Sequence, residues 1–440
     1  MPRRHSSRPL AAPALAPFLA LAVCLSACGE GTPTDGPGPA DQLASSDSDP
    51  GLGKAEGSSG NSSRDNIDEM FDELAAIGYA DFSQSGQLNA LGSGVVTMDA
   101  ERSIPGFNLY TSIASSSAVL IDGAGTEVHR WQGACDRWTR AQLLEDGDLL
   151  VIGVCADDGP NVPYLKRYHW DGSLAWSTRI NAHHDFDVLP DGRILVLTKS
   201  RRNRRDYGSS GSVRDNELTM VSPAGEVLES RSISDMIEAG PAPYAWRPAE
   251  QIPGYEPEAT ADYLHCNSVF WVESSPLAAK NDWFSGGNVL LSSRHQSTLL
   301  LVNWDRAELL WSFGDGQLAR QHEASLLPSG NILLFDNGDE TRPWSRIVQL
   351  NPATGQITWE YKADPPESFY SSGRGTVQTL RGGNLLVGNS ANGEAFEITS
   401  EGQLVWRFFN PDVDENGAHG ALRIERYPVG MVEAIIKAQQ

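Results

Sequence analysis

Histidine recurs in this chain at a fixed distance from a turn glycine. In the segments HDFDVLPDGRILVL and HEASLLPSGNILLF, the first residue (His184 or His322) stands eight residues before Gly192 or Gly330. The same hairpin returns without histidine as TRAQLLEDGDLLVI and GTVQTLRGGNLLVG. Imidazole can donate a hydrogen bond, move a proton or attack an electrophile, so histidines at one position of a repeat are candidates for chemistry.

The hairpin is part of a longer repeat. A turn followed four residues later by an aromatic residue occurs as DGSLAW, RAELLW, TGQITW and EGQLVW, with two weaker copies, and four of the five intervals are 47 to 53 residues. This is close to the length of a four-stranded propeller blade, about 40–50 residues. Because one repeat cannot bury its own apolar face, repeats pack side by side and close. Six copies predict an all-β protein, a six-bladed β-propeller.

The C-terminal segment AHGALRIERY is typical of a single inner strand without its own hairpin. We expect it to complete the first blade, which lacks a clear inner strand, and so to close the ring. Each blade then places one residue at the mouth of the central channel. These six positions are Thr139, His184, His265, His322, Gly375 and His419.

A cation is expected beside these histidines. Arg294 lies seven residues after Gly287, on the strand that returns next to His265, while Lys199 and Asn337 hold the matching positions of other hairpins. A guanidinium fork among neutral imidazoles suits an oxyanion such as sulfate or phosphate. Phosphate loops and dinucleotide-binding turns are missing from the sequence, so side chains at the channel mouth must carry any chemistry.

Several of these segments resemble the bacterial arylsulfate sulfotransferase family: HHDFDVLPDGRILVL, HCNSVF, SSRHQST and QHEASLLPSGNILLFDNG. The resemblance covers roughly residues 95–430. It implies a six-bladed propeller that moves a sulfuryl group from an aryl sulfate to a phenolic acceptor, without a nucleotide donor and with no cofactor or metal.

The resemblance also implies roles for individual residues. His322 is the nucleophile that forms a transient sulfohistidine, and His184, His265 and Arg294 support it. Four more residues at or beside these positions are assigned to substrate binding: Asn337, Asn267, His183 and His419. His183 is an alternative to its neighbour His184, and a purely structural role is the alternative for His419. Two insertions, 234–259 and 273–286, are expected beside His265, where they would shape acceptor access.

Two other functions fit the same pattern. Histidines around a propeller axis could hold zinc or iron, which would make the protein a metalloenzyme. A guanidinium close to the site would repel such a cation, which favours the sulfotransferase. The third alternative is a lipid-anchored propeller that binds a ligand without turnover, because a fold alone does not establish activity.

The N-terminal region predicts export. Three arginines precede an apolar run that ends in Leu25-Ser26-Ala27-Cys28, so residues 1–27 resemble a lipoprotein signal peptide with Cys28 as the lipidated residue. An ordinary secretory signal is the alternative. Residues 28–64, rich in Gly, Ser, Pro and Asp, predict a flexible tether. The remaining regions are a helical segment at 65–78 within a lead-in that extends to 94, the propeller at 95–430, and a C-terminal tail at 431–440.

Charge and cysteine content indicate which partners the protein can bind and in which compartment it is found. The net charge of −23 leaves no basic stripe for phosphates and argues against nucleic acid. Cys135 and Cys155 flank one hairpin and are a disulfide candidate, which an exported protein permits. The expected location is the cell envelope, with the protein held to a membrane by its N-terminal lipid.

The lipid anchor gives the first prediction. If Cys28 carries the lipid, Cys28→Ser removes the acylation site, and the protein should leave the membrane fraction as a soluble exported or uncleaved form. Immunoblotting of membrane and soluble fractions measures this. Unchanged membrane retention of the variant would contradict the lipoprotein hypothesis.

Overall fold

A computed structural model of the chain describes residues 92–133, 136–155, 163–203, 212–241, 244–253, 261–314 and 316–440. Within these ranges the chain forms 25 strands in six antiparallel sheets, arranged as the blades of a six-bladed β-propeller, together with two α-helices. The predicted fold class is confirmed. The helix predicted at residues 65–78 lies outside the described residues.

The strands are numbered along the chain, and each blade is given from its inner strand outward. Blade 1 contains β25 (Leu422–Tyr427), β2 (Phe107–Ser112), β3 (Ser117–Ile121) and β4 (Glu127–Gln132). Blade 2 contains β5 (Asp136–Leu143), β6 (Leu149–Cys155), β7 (Tyr164–Tyr168) and β8 (Leu174–Arg179). Blade 3 contains β9 (Ala182–Val188), β10 (Ile194–Asn203), β11 (Ser212–Val221) and β12 (Val227–Ser232).

The second half of the ring follows the same order. Blade 4 contains β13 (Cys266–Val272), β14 (Asn288–Ser293), β15 (Thr298–Asn303) and β16 (Glu308–Phe313). Blade 5 contains β17 (His322–Leu326), β18 (Ile332–Asp336), β19 (Arg346–Asn351) and β20 (Gln356–Tyr361). Blade 6 contains β21 (Thr376–Thr379), β22 (Leu385–Asn389), β23 (Glu394–Ile398), β24 (Leu404–Phe409) and, as a fifth strand, β1 (Gly94–Met98).

Apolar clusters fill all six seams between neighbouring blades. In β6, Leu149 and Val151 face the seam with blade 1, whereas Leu150 and Ile152 face the seam with blade 3. Both faces of such a strand are buried, so its sequence is a continuous apolar run rather than an alternating one. These runs are the hairpin signal that recurs in the sequence.

The ring closes in two places. β25 pairs with β2 from Tyr427 opposite Phe107 to Leu422 opposite Ser112, so the C-terminal strand completes blade 1 as predicted. At the other end, β1 pairs with β24 and covers the outer edge of blade 6. The five-residue strand β1 is then the outer edge of this blade, and edge strands as short as this limit pairing with another chain.

Two helices pack on the propeller. Helix α1 (Ile233–Ala239) starts at Ser232, whose side chain accepts a hydrogen bond from the Asp235 N–H, and it packs over the seam between blades 3 and 4. Residues 431–440, expected to form a tail, instead lie mostly in helix α2 (Val429–Ala438). Val432 and Ile435 are three residues apart, so they share one helix face and pack on blades 1 and 2. None of the helices in the described part of the chain is long and apolar enough to span a membrane.

A buried ion pair at the closure gives the second prediction. Arg426 of β25 donates to Glu397 of β23, and the two side chains are 4% and 0% exposed. Arg426→Ala leaves a buried carboxylate without its cation, so the free energy of unfolding should fall by about 3 kcal/mol or more. The matched control is Arg130→Ala, since Arg130 pairs with Glu127 at the surface and such pairs contribute about 1 kcal/mol or less. Urea unfolding measures the free energy of unfolding of both variants. Equal losses in the two would contradict a larger contribution from the buried ion pair.

Candidate active site

Three histidines of the predicted ring come from the inner strands of blades 3, 4 and 5 or from the residue just before them. The Nε2 atoms of His184 and His265 are 3.1 Å apart, and their ring centroids are 4.8 Å apart. His322 begins β17 in the next blade, and its charge state influences His184. The structure therefore brings His184, His265 and His322 into one cluster.

Irregular backbone directs these side chains. The inner strand of each of the three blades shifts register against its neighbour near the histidine, and such bulges re-aim side chains. His184 and His265 also have positive φ angles of 58° and 44°. This conformation is unfavourable for a residue with a Cβ, at a cost of order 1–3 kcal/mol. Strain of this kind is frequent at functional sites.

His322 is held through one of its two ring nitrogens. Its Nδ1 lies 2.7 Å from Asn337 Oδ1 and 3.0 Å from the Arg320 carbonyl oxygen. The Asn337 amide is oriented by its NH2 group, which donates to the carbonyls of Ser371 at 2.6 Å and Arg374 at 2.8 Å. Both groups facing Nδ1 are therefore acceptors, so Nδ1 carries the proton and Nε2 carries the lone pair.

Electrostatics keep His322 neutral. Burial, followed by the charge of Arg294, holds the pKa of His322 well below its usual value. The hydrogen bond to Asn337 acts in the opposite direction without reversing the shift. A neutral imidazole with its lone pair on Nε2 is competent as a nucleophile at neutral pH.

Asp262 orients His265. Its Oδ2 lies 3.0 Å from His265 Nδ1, and its Oδ1 accepts the His265 backbone N–H at 2.9 Å and the Asn216 amide at 3.1 Å. Burial alone would raise the pKa of Asp262, but His265 holds it well below its usual value, so the carboxylate is ionised. His265 therefore donates from Nδ1 and directs Nε2 at His184.

His184 and His265 form a hydrogen bond between their Nε2 atoms. Burial lowers the pKa of His265 while Asp262 opposes this shift, and burial together with His265 holds the pKa of His184 well below its usual value. Because the Nε2 atoms lie within hydrogen-bond distance, one of them donates to the other. The pair can therefore hold and pass a proton beside His322.

Arg294 lies in the turn after β14 and is fully buried. Its backbone N–H donates to the His265 carbonyl at 3.2 Å, so the predicted neighbours are adjacent in space. Its charge lowers the pKa of His322, His265 and His295. A buried guanidinium offers a planar fork for two oxygens of a bound anion.

Two asparagines predicted to bind substrate have structural partners. The Asn337 amide is bonded to His322, Ser371 and Arg374, so it positions the histidine; a contact with substrate stays a prediction. Asn267 donates to the Gln321 carbonyl at 2.8 Å and so fixes the residue before His322. Its Oδ1 is buried with no hydrogen-bond partner among the described residues.

His183 and His419 lie at different distances from the cluster. His183 contacts His184 edge to face, with ring centroids 5.0 Å apart, and donates from Nε2 to the Thr198 carbonyl at 3.2 Å. Burial, followed by Lys199, lowers the pKa of His183 to about 3. His419 stacks on Phe409 and donates to the Asn410 carbonyl at 2.7 Å, and none of its contacts within the described chain reaches the histidine cluster. These contacts favour a structural role for His419.

The residues that sequence reasoning missed are those that support the histidines. Asp262 is three residues before His265, a spacing that has no meaning until the local turn is known. Gln321 is fully buried, and its amide donates to Ser292 Oγ and to the carbonyls of Ser293 and Thr298, each at 3.1 Å. It joins the start of β17 to blade 4, and no motif in the sequence marks it.

Among the residues that the structure describes, one group of side chains could hold a metal ion. The ligand atoms of Asp262, His265 and His295 all lie within 4.8 Å of one another. Only one of these residues belongs to the predicted ring of axis histidines. Arg294 already depresses the pKa of both imidazoles, so a cation at this position would meet the same repulsion.

The predicted cysteine sites are only partly described. Cys155 is disulfide-bonded, whereas Cys135 lies outside the described residues, as does Cys28. The residue after Cys135, Asp136, pairs directly with Cys155 across the hairpin. The pairing of Cys135 with Cys155 stays a prediction.

The fold and the site define a six-bladed propeller with a histidine and arginine centre at its axis. Residues 142–411 match the family described as Arylsulfotransferase (ASST). The match spans more than half of the chain and includes His184, His265, Arg294 and His322. The chain belongs to the arylsulfotransferase family, and this membership supports aryl sulfotransferase activity in general.

Other comparisons add little. No curated protein matches the chain. Similar solved structures include a protein of unknown function from Bacteroides caccae (16% identity, 74% of this chain and 100% of that chain, TM-score 0.47) and a streptogramin B lyase (9%, 79% and 95%, TM-score 0.41). A catalytically inactive virginiamycin B lyase from Staphylococcus aureus with quinupristin is also similar (10%, 75% and 94%, TM-score 0.42). Likeness at this level does not bear on the chemistry of this chain.

The Asp262 contact gives the third prediction. The carboxylate favours protonated His265, so Asp262→Asn should lower the pKa of His265 further below its usual value. An NMR titration of histidine-labelled protein measures the shift. Asp191→Asn, in the exposed turn after β9, is the control and should leave the His265 titration unchanged. An unchanged or higher pKa of His265 in Asp262→Asn would contradict the assigned contact.

Proposed function

We propose that this protein is a nucleotide-independent aryl sulfotransferase that moves a sulfuryl group from an aryl sulfate to a phenolic acceptor through a sulfohistidine on His322. The observation that carries the proposal is the state of His322. Its Nδ1 is fixed as a donor, its Nε2 holds the lone pair, and a buried guanidinium lies close enough to depress its pKa. This arrangement joins a nucleophile to an anion-binding group.

In the first step, Nε2 of His322 attacks the sulfur of the donor. The N–S bond forms as the ester S–O bond breaks, and the electron pair of that bond leaves with the aryl oxygen as phenolate. Arg294 stabilises the negative charge on the sulfuryl oxygens throughout. The Asn337 and Arg320 acceptors stabilise the imidazole as it becomes positively charged on attack, because Nδ1–H then donates more strongly.

The departing phenolate takes its proton from the His184 and His265 pair. Both pKa values are depressed by burial and by neighbouring charge, so binding of an anionic sulfate ester raises them and favours proton uptake. Asp262 stabilises the imidazolium of His265 and keeps its Nε2 directed into the site. Asp262 is a positioning residue in this scheme.

In the second step, a phenolic acceptor replaces the first phenol. The histidine pair accepts the proton of its hydroxyl group, the oxygen attacks sulfur, and the N–S bond breaks to return neutral His322. The two steps use the same groups in reverse order, so one site serves donor and acceptor in a ping-pong reaction. No cofactor is part of this scheme.

The proposal also covers location. The N-terminal signal and Cys28 would place the propeller outside the cytoplasm, held to a membrane by lipid. The acidic tether at 28–64 would keep the domain away from the anionic lipid surface.

The nucleophile gives the fourth prediction. With 4-nitrophenyl sulfate and no acceptor, the protein should release about one nitrophenol per site in a burst and gain about 80 Da on the peptide that contains His322. His322→Asn should abolish the burst and the turnover. His169→Asn, an exposed histidine of blade 2, is the matched control and should retain both. Stopped-flow absorbance and peptide mass spectrometry measure the outcome.

The same burst has an expected pH dependence. Protonation of His322 removes the lone pair, so the burst rate should fall as pH decreases through the pKa of this residue. Because that pKa lies well below its usual value of 6.5, the fall should come on the acid side of pH 6.5. A burst in His322→Asn at the wild-type rate would refute the mechanism. An inert wild type across a broad panel of aryl sulfates would favour a non-catalytic binding propeller.

A further inference from the structure

Two more arginines, from other segments of the chain, are hydrogen-bonded to the turn that carries Arg294. This turn spans Arg294–Ser297 between β14 and β15 and is closed by the Ser297 N–H to the Arg294 carbonyl at 3.1 Å. Arg247, from the insertion before β13, donates its backbone N–H to Gln296 Oε1 at 2.8 Å. Arg320, just before β17, donates its backbone N–H to Ser297 Oγ at 3.2 Å. The backbones of Arg247 and Arg320 are therefore both attached to the turn that carries Arg294.

These attachments are firm. Gln296 is 5% exposed, and its amide NH2 donates to the Tyr263 carbonyl at 2.8 Å, so the oxygen that receives Arg247 is fixed. The carbonyl of Arg320 accepts the Nδ1–H of His322 at 3.0 Å. Arg247 and Arg320 thus lie beside the nucleophile and its anion-binding group, and we refer to these two residues as the rim arginines.

The charge of the rim arginines is only partly compensated. Arg320 pairs with Glu340 at 2.8 Å, but that carboxylate is 76% exposed. No carboxylate among the described residues lies within ion-pair distance of Arg247, which is half-buried. Burial lowers the pKa of Arg247 and Arg320 adds to this shift, whereas Tyr244 and the carboxylate of Asp339 oppose it without reversing it. A half-buried cation next to another cation is stabilised by a bound anion.

Aromatic side chains accompany the rim arginines. Tyr244 and Trp246, in the same insertion, pack edge to face with ring centroids 4.9 Å apart, and both are partly buried against the apolar cluster between blades 3 and 4. Tyr370 is half-buried; burial raises its pKa, and the charges of Arg320 and Arg294 oppose this shift, so both arginines act on its hydroxyl group. Rings together with guanidinium groups suit an aromatic ligand that also carries negative charge.

We propose that the rim arginines bind a second anionic group on the substrate, so that the preferred phenols and aryl sulfates carry a carboxylate or sulfonate in addition to the transferred sulfuryl group. This proposal rests on the proposed function, because it takes the bound ligand to be a donor or acceptor of the sulfuryl group. Arg294 holds the reacting sulfuryl group, and the rim arginines select the substituent on the ring. In a chain with a net charge of −23, attraction of a doubly anionic ligand requires such a local concentration of cations.

The test compares two acceptors of nearly equal size, 4-hydroxyphenylacetate and its neutral amide, with 4-nitrophenyl sulfate as donor. The wild type should prefer the acid by about tenfold in kcat/KM, mainly through KM, as expected for one charge-assisted contact. Arg247→Gln should remove most of this preference, with a much smaller effect on the amide. Arg306→Gln, on the outer part of blade 4, is the matched control and should leave both acceptors unchanged.

A second arm uses the sulfate esters of the same acid and amide as donors, which separates recognition of the donor from recognition of the acceptor. Equal kcat/KM for acid and amide in both arms, or a preference that survives in Arg247→Gln, would overturn the proposal. Calorimetric binding of 4-hydroxyphenylacetate does not depend on turnover. If the wild type turns over no substrate, the proposed function fails. In that case, weaker binding of 4-hydroxyphenylacetate by Arg247→Gln than by the wild type still supports the anion site. Equal binding by the two proteins overturns the anion site.

Discussion

A set of buried and partly buried charges joins the inner strands of four of the six blades. Arg423 of β25 contacts Asp185 of β9 at 3.0 Å and Glu323 of β17 at 2.7 Å. Arg140 of β5 contacts Asp185 and Glu425, each at 3.2 Å. Charges in such a position must be paired, and they can be paired in only a narrow range of blade positions. The histidine cluster depends on this network because Asp185 and Glu323 directly follow His184 and His322.

The network also accounts for the strained backbone. In an extended strand, consecutive side chains point to opposite faces. Yet His184 contacts His265, while the next residue, Asp185, contacts Arg140 and Arg423 from other blades. A positive φ at His184 and the bulge in β9 let His184 reach blade 4 while Asp185 reaches blades 1 and 2. Strain of order 1–3 kcal/mol is therefore offset by ion pairs and hydrogen bonds that a regular strand could not make.

The fold could be predicted from local signals in the sequence, because each blade is built from short-range hairpins. Turn glycines and continuous apolar runs predict the blades, and the single C-terminal strand predicts the closure. The addition of β1 to blade 6 has no such signal, since it joins segments about 300 residues apart and depends on which edge remains open. Helix α2 was missed because its buried face consists of only two residues, Val432 and Ile435.

The histidines of the site were predictable from their frame in the repeat, whereas their partners were not. The frame identifies His322 and places Asn337 on the returning strand, but it does not say that the Asn337 amide is used up by protein groups. The insertion before β13 has no counterpart in other blades, so the position of Arg247 could be found only in three dimensions. His419 shows the limit of the frame, because a histidine assigned to the same ring packs on Phe409 and has the contacts of a structural residue.

Arginine among neutral histidines couples anion binding to proton movement. Burial and Arg294 keep His322 and His265 unprotonated, so the centre carries fewer positive charges than its residue types suggest. In the proposed reaction, a sulfate ester brings negative charge into this space and reverses the electrostatic cost of protonating the histidine pair. The proton is then present when a phenolate leaves and is needed again when the next phenol attacks. A metal cation would impose the opposite balance, since it would add charge beside Arg294 and keep the imidazoles from protonation.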